Sequence, residues 1–336
     1  MSKFDSIIDE VGHDKKQEVK AILRPRYINI LTNGGFKAVF AYPENKAVVM
    51  DIMNAFLPAN RQVRDIVFMQ TEHPSRADEG KEYRFDFMCR DDNDVYFIVE
   101  AQNYFDDNWS RRCVSYTSRV YDAQNIIGKE YVAPPVYLIG LMGVPIEHTD
   151  MSKWRDRYVA EYTFREKETQ DLLDETIFII FAEIARFDKR QDECVSMQER
   201  MLYVLKHSQD IKKPTDWLTE GIYARLLHAF EVAKFMKGKL IRYIRDMMDE
   251  RKRVSEMNTY ERRGRAKGLA EGLEKGREEG LEKGREKGRE EGLEEGLEKG
   301  KVQERLANAV KMKRLGIDTA VICQVTGLSE YEVEKL

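Results

Sequence analysis

The sequence predicts an α/β protein, with a mixed sheet flanked by helices over residues 21–210. Runs of aromatic and β-branched residues alternate along the chain with segments whose apolar residues recur at helical spacing. Strands that alternate with helices are typical of a mixed α/β sheet. The most apolar short run, PPVYLIGLMG at Pro134–Gly143, is bounded by proline and glycine, which indicates a buried central strand.

Composition limits the class of protein. The 336 residues are 35% charged with a net charge of −4, which argues against nucleic-acid binding by the whole surface but leaves room for a local basic patch. The four cysteines show no C-x-x-C spacing, so we expect a reducing compartment and neither a disulfide framework nor a structural zinc site. We expect no membrane span and no signal peptide, and therefore a cytoplasmic protein.

The segment 83–102 predicts a β-hairpin. Two runs rich in aromatic and β-branched residues flank the polar turn DDND. Because side chains alternate between the faces of a strand, a three-residue loop in this turn places Phe87 opposite Val99 and Asp86 opposite Glu100. The hairpin is therefore expected to have one apolar side and one side that carries two carboxylates.

Two directly opposed carboxylates repel each other unless a cation lies between them. Opposed residues in a sheet have Cβ atoms roughly 4.5–5.5 Å apart, and Mg²⁺ usually takes one or two carboxylates together with waters and substrate phosphates. Glu100 also interrupts the apolar run VYFIV, where an unpartnered charge is uncommon. From the residues alone, a metal site and a solvated polar face are about equally supported.

This pattern resembles the metal-binding core of the PD-(D/E)XK nuclease superfamily, in which an Asp, a hairpin and then a Glu-x-Lys or Glu-x-Gln follow one another. It is most similar to the Rpn-like recombination-promoting nucleases, or putative transposases, where Gln commonly replaces Lys, as at Gln102. The segment NGGFKAVF, residues 33–40, resembles their D-x-x-F-K-x-x-F opening, and TGLSEYEVEKL, residues 326–336, resembles their closing segment. A further helix fits their R-x3-Y…Y-x2-Q…G…Y spacing with Arg112, Tyr116, Tyr121, Gln124, Gly128 and Tyr131.

The resemblance implies a restriction-endonuclease-like fold, DNA as the partner and Mg²⁺ as the cofactor, with Mn²⁺ as an alternative. Asp86 and Glu100 would be the metal ligands. Glutamine can neither supply a positive charge nor act as a base, so Gln102 would orient the attacking water or a metal-bound carboxylate. Arg112 would orient the carboxylates or the scissile phosphate, or else form an exposed ion pair, and Gln124 is a further catalytic candidate.

Two positions depart from the family pattern. Asn33 stands where the family has an acid, and the nearest acidic alternative on the first core helix, Asp51, is expected to be a surface residue. Gln102 stands where other members of the superfamily have lysine. These departures keep a second function open, namely a catalytically silent DNA-binding or assembly protein that retains the nuclease fold.

We expect five divisions along the chain. They are an N-terminal arm (1–20), a nuclease-like domain (21–210), a helical extension (211–260), a repeat (261–300) and a small helix-turn-helix-like unit (301–336). The window 237–267 is the most basic, with 11 Lys/Arg and 5 Asp/Glu, and could contact phosphates or be a solvated helix surface. The C-terminal unit could read DNA or mediate self-association through its helical segments.

The repeat places a glycine at every fourth position from Gly264 to Gly300. Each glycine costs about 1 kcal/mol relative to alanine in a helix, whereas each Glu–Lys pair four residues apart contributes only about 0.2–0.5 kcal/mol. The repeat is therefore predicted to be a charged spacer, marginal as an isolated helix and helical when paired with a partner chain.

Overall fold

The computed structural model describes residues 3–73, 83–125, 130 and 132–336, which form two compact units, Met1–Val254 and Ser255–Leu336. The helices are α1 (Lys3–Val11), α2 (Lys16–Leu23), α3 (Asn33–Phe40), α4 (Lys46–Phe56), α5 (Trp109–Gln124), α6 (Met197–His207), α7 (Gly221–Phe230), α8 (Lys237–Arg314), α9 (Thr319–Thr326) and α10 (Glu330–Lys335). The strands are β1 (Ile66–Phe68), β2 (Glu72–His73), β3 (Tyr83–Arg84), β4 (Phe87–Asp91), β5 (Tyr96–Gln102), β6 (Val136–Met142), β7 (Val159–Tyr162) and β8 (Ile177–Ala182).

The first unit is built on a six-stranded mixed sheet in the order β1-β4-β5-β6-β8-β7. The β5–β6 and β6–β8 pairs are parallel, and the other pairs are antiparallel. Every residue of β6 is buried, which confirms the predicted central strand. The mixed α/β architecture expected from the sequence is therefore present, and β2 and β3 form a separate two-stranded ribbon.

The β4–β5 hairpin has the predicted register, with Phe87 paired to Val99 and Cys89 paired to Phe97. The alternation of side chains along the strands sends Phe87 and Val99 into the larger core, and Met88 and Ile98 into a smaller core under α5. Both faces of the sheet are thus covered, as expected for a sheet with parallel central strands.

Helix α5 lies very close to the central strand at Gly140. A Cβ at this position would come within 2.8 Å of the Phe181 ring and 3.1 Å of the Trp109 ring. Because real Cβ atoms do not approach other atoms so closely, only glycine permits this packing. The contact fixes the N-terminal end of α5 over the end of the sheet that carries Glu100.

The N-terminal residues, expected to form a loose arm or a short helix, contain two helices. Ile7 and Ile8 of α1 and Val19 and Ile22 of α2 are buried. Ile7, Val19 and Ile22 join the larger core of the first unit. The helical spacing of these few apolar residues is hidden in the sequence by the many charged residues around them.

A buried charge network lies beyond the end of β8. Glu183 is 1% exposed at its side chain, and its Oε1 lies 2.8 Å from His148 Nε2 and 2.8 Å from Arg186 Nη1. The His148 ring stacks on Trp154 at a centroid distance of 3.9 Å. Glu183 therefore has cationic or hydrogen-bonding partners on several sides, as a buried carboxylate requires.

The glycine repeat is helical, which differs from the expected spacer. It lies within α8, a single helix of 78 residues that begins in the first unit and ends in the second. The residues after 236 contribute Leu240, Tyr243 and Ile244 to the larger core, so the helix is already nucleated before the repeat begins. Extending a formed helix costs far less free energy than nucleating a new one. The estimate from the sequence treats the repeat as an isolated segment and therefore includes a nucleation cost that the chain does not incur at the repeat.

Four ion pairs one helical turn apart support the repeat helix. They are Arg265–Glu261, Lys267–Glu271, Lys287–Glu291 and Lys299–Glu295. A small cluster of Ala309, Ile322 and Val333 joins the last turns of α8 to α9 and α10. Gly316 and Gly327 have φ values of 76° and 71°, so a glycine in the left-handed region follows both α8 and α9.

No helix in the described residues combines the length and the apolar composition that a bilayer span needs.

Candidate active site

The two predicted metal ligands lie together at one end of the sheet. Asp86 immediately precedes β4 and Glu100 lies near the end of β5. The backbone N–H of Asp86 donates to Glu100 Oε1 at 2.9 Å, and the backbone N–H of Ala101 donates to Asp86 Oδ2 at 3.1 Å. Each carboxylate is therefore oriented by the backbone of the opposite strand.

The pair carries a negative charge that the surrounding protein does not fully compensate. Glu100 is only 4% exposed, and burial, reinforced by the charge of Asp86, raises its carboxyl pKa well above the usual value. Asp86 keeps an edge open to solvent, yet desolvation by the surrounding protein raises its pKa too. The Ala101 N–H and the charges of Arg112 and Lys37 act in the opposite direction on Asp86. At neutral pH, this pair favours either a proton or a cation.

The donor set fits a hard divalent cation. Among residues 3–73, 83–125, 130 and 132–336, no group of three or more His, Cys, Asp or Glu side chains is arranged to hold a metal. Two carboxylates, one of them open to solvent, suit an ion that keeps several waters and shares its remaining positions with phosphate oxygens. Mg²⁺ is such an ion, whereas a closed structural zinc site requires four protein ligands.

Gln102 and Arg112 form a hydrogen-bonded group beside the carboxylates. The Gln102 Nε2 donates to the carbonyl oxygen of Tyr104, and its Oε1 accepts from Arg112 Nη2 at 2.9 Å. Arg112 Nη1 also donates to Asp106 Oδ2 at 2.8 Å. Both polar atoms of Gln102 thus have protein partners, and Arg112 acts on the carboxylates through its charge while its hydrogen bonds go to Gln102 and Asp106.

Comparison with protein families agrees with this geometry. Residues 31–259 match the model of the PD-(D/E)XK nuclease family transposases. The chain belongs to this family. Comparison with curated proteins and with solved structures finds no match. Nucleases of the PD-(D/E)XK superfamily generally use divalent metal ions, typically Mg²⁺, which is the ion that the donor set fits.

Gln124 lies away from the carboxylates of this nuclease-family chain. It is twelve positions after Arg112 on the continuous helix α5, and a helix rises about 18 Å over that length. Its Nε2 donates to the carbonyl oxygen of Pro134 at 3.2 Å, before β6 begins. In this structure Gln124 ties the end of α5 to the entry of β6 and does not join the candidate site.

The two positions considered for a first acid also lie outside the carboxylate pair. Asp51, expected on the surface, is only 14% exposed at its side chain and accepts from Arg225 Nε at 2.8 Å and Nη2 at 2.6 Å. Asn33 begins α3, and its backbone N–H donates to Glu250 Oε2 at 3.0 Å. Position 33 therefore supplies no acidic side chain. Its backbone N–H instead contacts the carboxylate of Glu250 in α8.

The expected loop over residues 72–81, a candidate flap, and the family positions Gly128 and Tyr131 fall mostly or wholly outside the described residues. Arg112 and Tyr116 lie within them. The Tyr116 hydroxyl donates to the Arg84 carbonyl at 3.1 Å, so α5 is anchored to the strand that leads into Asp86.

Two further residues near the site were not predicted. Glu250 is buried, and its Oε1 accepts from the Tyr104 hydroxyl at 2.6 Å. It is 146 residues from Tyr104, and nothing local in the sequence distinguishes it from the other acids of α8. Lys37 had a signal, because it is the charged residue in the apolar run GGFKAVF, and the structure leaves it exposed on a helix that is otherwise mostly buried.

Proposed function

We propose that this protein is a Mg²⁺-dependent DNA endonuclease that hydrolyses phosphodiester bonds, with Mn²⁺ as an alternative ion. The observation that carries the proposal is the reciprocally oriented pair of Asp86 and Glu100. The carboxyl pKa of both acids is raised, so a divalent cation bound between them would favour their ionised form. Membership of the nuclease family supports the same chemistry and implies DNA as the substrate.

In this mechanism Asp86 and Glu100 would hold the ion. A divalent ion bound there would polarise the scissile phosphate and lower the pKa of a water molecule. The backbone N–H groups of Asp86 and Ala101 keep the two carboxylates aligned. Gln102 holds Arg112, whose positive charge favours the ionised, ligand-competent form of both acids.

Plasmid cleavage tests the proposal. Purified protein is incubated with supercoiled plasmid and Mg²⁺ or Mn²⁺, beside Asp86→Asn and Glu100→Gln, which keep the shape of the side chains and their hydrogen-bond acceptors. Asp92→Asn, an exposed acid in the turn of the same hairpin, is the matched control. We expect nicking by the wild type and by the control, and loss of nicking in both site variants. Nicking that survives in Asp86→Asn and Glu100→Gln would refute the proposed site.

A second candidate is a DNA-binding or assembly protein that keeps the fold without cleavage. Asn33 in place of an acid and the fully partnered Gln102 favour it. Salt-dependent DNA binding by a wild-type protein that cleaves with neither ion would support this candidate over the endonuclease.

Self-association through the C-terminal helices belongs to either candidate. Leu315, Val325 and Tyr331 are each more than 60% exposed there. Sedimentation of the wild type and of Val325→Ser/Tyr331→Ser tests self-association, with a smaller particle expected for the variant.

We also propose a cytoplasmic location, since the four cysteines are free thiols, as is usual in a reducing compartment.

A further inference from the structure

Lys37 is the exposed residue of α3. The other side chains and backbone positions of this helix are buried, except for the half-buried Asn33 at its start. Phe36 and Phe40, on the buried side, stack with a centroid distance of 4.1 Å. Because the rest of α3 is packed in the core, the backbone at Lys37 is fixed, and its side chain carries the positive charge to a defined region of the surface.

Both ends of α3 contact residues that adjoin the candidate site along the chain. The Phe40 ring meets the ring of Phe87, the residue after Asp86, edge to face at 5.1 Å. At the other end, the Asn33 N–H donates to Glu250, whose second oxygen holds the Tyr104 hydroxyl. Tyr104 follows Gln102 by two residues. Lys37 lies between these two attachments, one turn or about 6 Å along the helix from Asn33.

The two attachments of α3 place the exposed Lys37 on the side of the chain that adjoins the candidate site. In agreement with this position, the charge of Lys37 lowers the pKa of Asp86, the open member of the pair. Of the two cations that act on the carboxyl pKa of Asp86, Arg112 is held by Asp106 and Gln102. Lys37 is exposed and forms no ion pair with an acidic side chain of the described residues. Lys37 can therefore take a phosphate oxygen as its partner.

We propose that Lys37 is a catalytic residue that binds a non-bridging oxygen of the scissile phosphate and so supplies the positive charge absent at Gln102. The ammonium stabilises the negative charge that develops on the phosphate as water attacks, and it neither gives up nor takes a proton in this role. A lysine suits this task as a compact charge on a flexible stem. The inference rests on the proposed endonuclease function.

Single-turnover cleavage at saturating DNA tests the role of Lys37. The variants are Lys37→Met, which removes the charge and keeps most of the length, and Lys37→Arg, which keeps the charge. Lys20→Met, at an exposed lysine of α2, is the matched control. We expect Lys37→Met to cleave DNA about 100-fold more slowly than the wild type, because removing one donor that stabilises the transition state has an effect of this size. Lys37→Arg should retain activity within about 10-fold, and the control should match the wild type.

Mn²⁺ binding without DNA, measured by titration calorimetry, gives a second readout. A cation beside Asp86 repels a metal ion, so Lys37→Met should bind Mn²⁺ more tightly than the wild type while cleaving more slowly. A purely structural role predicts weaker Mn²⁺ binding together with slower cleavage, and that result would overturn the inference.

The outcomes separate the two proposals. A wild type that cleaves, beside a Lys37→Met protein that cleaves equally fast, removes the role of Lys37 and leaves the endonuclease intact. A wild type that cleaves with neither Mg²⁺ nor Mn²⁺ removes both.

Discussion

The backbone N–H of Asp86 donates to the Glu100 carboxylate at 2.9 Å, and the backbone N–H of Ala101 donates to the Asp86 carboxylate at 3.1 Å. This reciprocal arrangement fixes two acids side by side, with the Glu100 carboxyl group buried and that of Asp86 open to solvent. The geometry depends on acceptor oxygens and not on charge, so amide variants should keep the structure while losing the chemistry.

Glu100→Gln should stabilise the protein at pH 8 more than at pH 5. The pKa of Glu100 is raised in the folded state, so its favourable contribution is complete below the unfolded pKa and is lost as pH rises through the folded value. The amide mimics the protonated form and avoids that loss. Thermal unfolding without metal should show a melting temperature higher by at least about 2 °C at pH 8, which corresponds to ~1 kcal/mol in a domain of this size. Equal destabilisation at both pH values would contradict the argument.

Divalent metal should reverse this difference. Mg²⁺ or Mn²⁺ that binds the folded state raises its stability by about 2.7 kcal/mol when present at 100 times its dissociation constant. We expect the melting temperature of the wild type at pH 8 to rise on titration with Mn²⁺, and that of Asp86→Asn and Glu100→Gln to stay unchanged. Asp92→Asn should respond as the wild type does. A rise of the same size in all four proteins would place the ion elsewhere.

Tyr104→Phe should destabilise the first unit. The Tyr104 hydroxyl donates to the buried carboxylate of Glu250 at 2.6 Å, and an acceptor deprived of its donor costs about 1–3 kcal/mol. Urea unfolding measures the loss. Tyr260→Phe, at a tyrosine that is 72% exposed, should have no effect. Adding Glu250→Gln to Tyr104→Phe should recover part of the loss, because the neutral amide is less costly to leave without a partner.

Glu183→Ala should be among the most destabilising single substitutions in the first unit. Removing this carboxylate leaves the buried guanidinium of Arg186 and the ring of His148 without their acidic partner. Breaking a buried ion pair costs about 3–5 kcal/mol. Glu175→Ala removes the partner of Arg61 in an exposed pair, for which a loss of at most about 1 kcal/mol is expected. Similar losses in both variants would show that the buried network contributes little.

Alanine at the repeat glycines should stabilise α8. A Cβ at Gly280 or Gly284 meets no atom within 4 Å, and alanine is favoured over glycine in a helix by about 0.5–1 kcal/mol. Circular dichroism on heating should show a later loss of helix for the Gly280→Ala/Gly284→Ala protein. In contrast, Gly35→Ala would place a Cβ 1.8 Å from the Asn29 carbonyl oxygen and should prevent folding. A lower melting temperature for the repeat variant would indicate that a partner helix contacts these glycines closely.

The hairpin could be predicted because its information is local. The alternation of Phe87, Cys89, Phe97 and Val99 and the polar turn between the strands specify one register, and that register brings Asp86 to Glu100. The contacts that surround the pair are different in kind. Glu250 contacts Tyr104 and Asn33, which are 146 and 217 residues away in the sequence. No sequence pattern near any of these residues predicts the contacts.

The repeat shows a second limit. Propensities summed over residues 264–300 describe an isolated segment, whereas in the chain Tyr243 and Ile244 are packed in the core before the repeat begins and Ala309 is packed after it. Gln124 shows a third limit, since family spacing placed it in the site and the length of α5 carries it to the other end of the helix.

The difference in burial among the cysteines allows one of them to be labelled selectively. Cys89, Cys113 and Cys194 are buried, and burial raises the pKa of all three thiols, that of Cys194 to about 11. Reaction with a maleimide requires an accessible thiolate. Cys323 in α9 is the partly exposed one of the four. A fluorophore or spin label should therefore attach to the native chain at this one position without mutagenesis, and it would report on the C-terminal unit while cleavage is followed in the same sample.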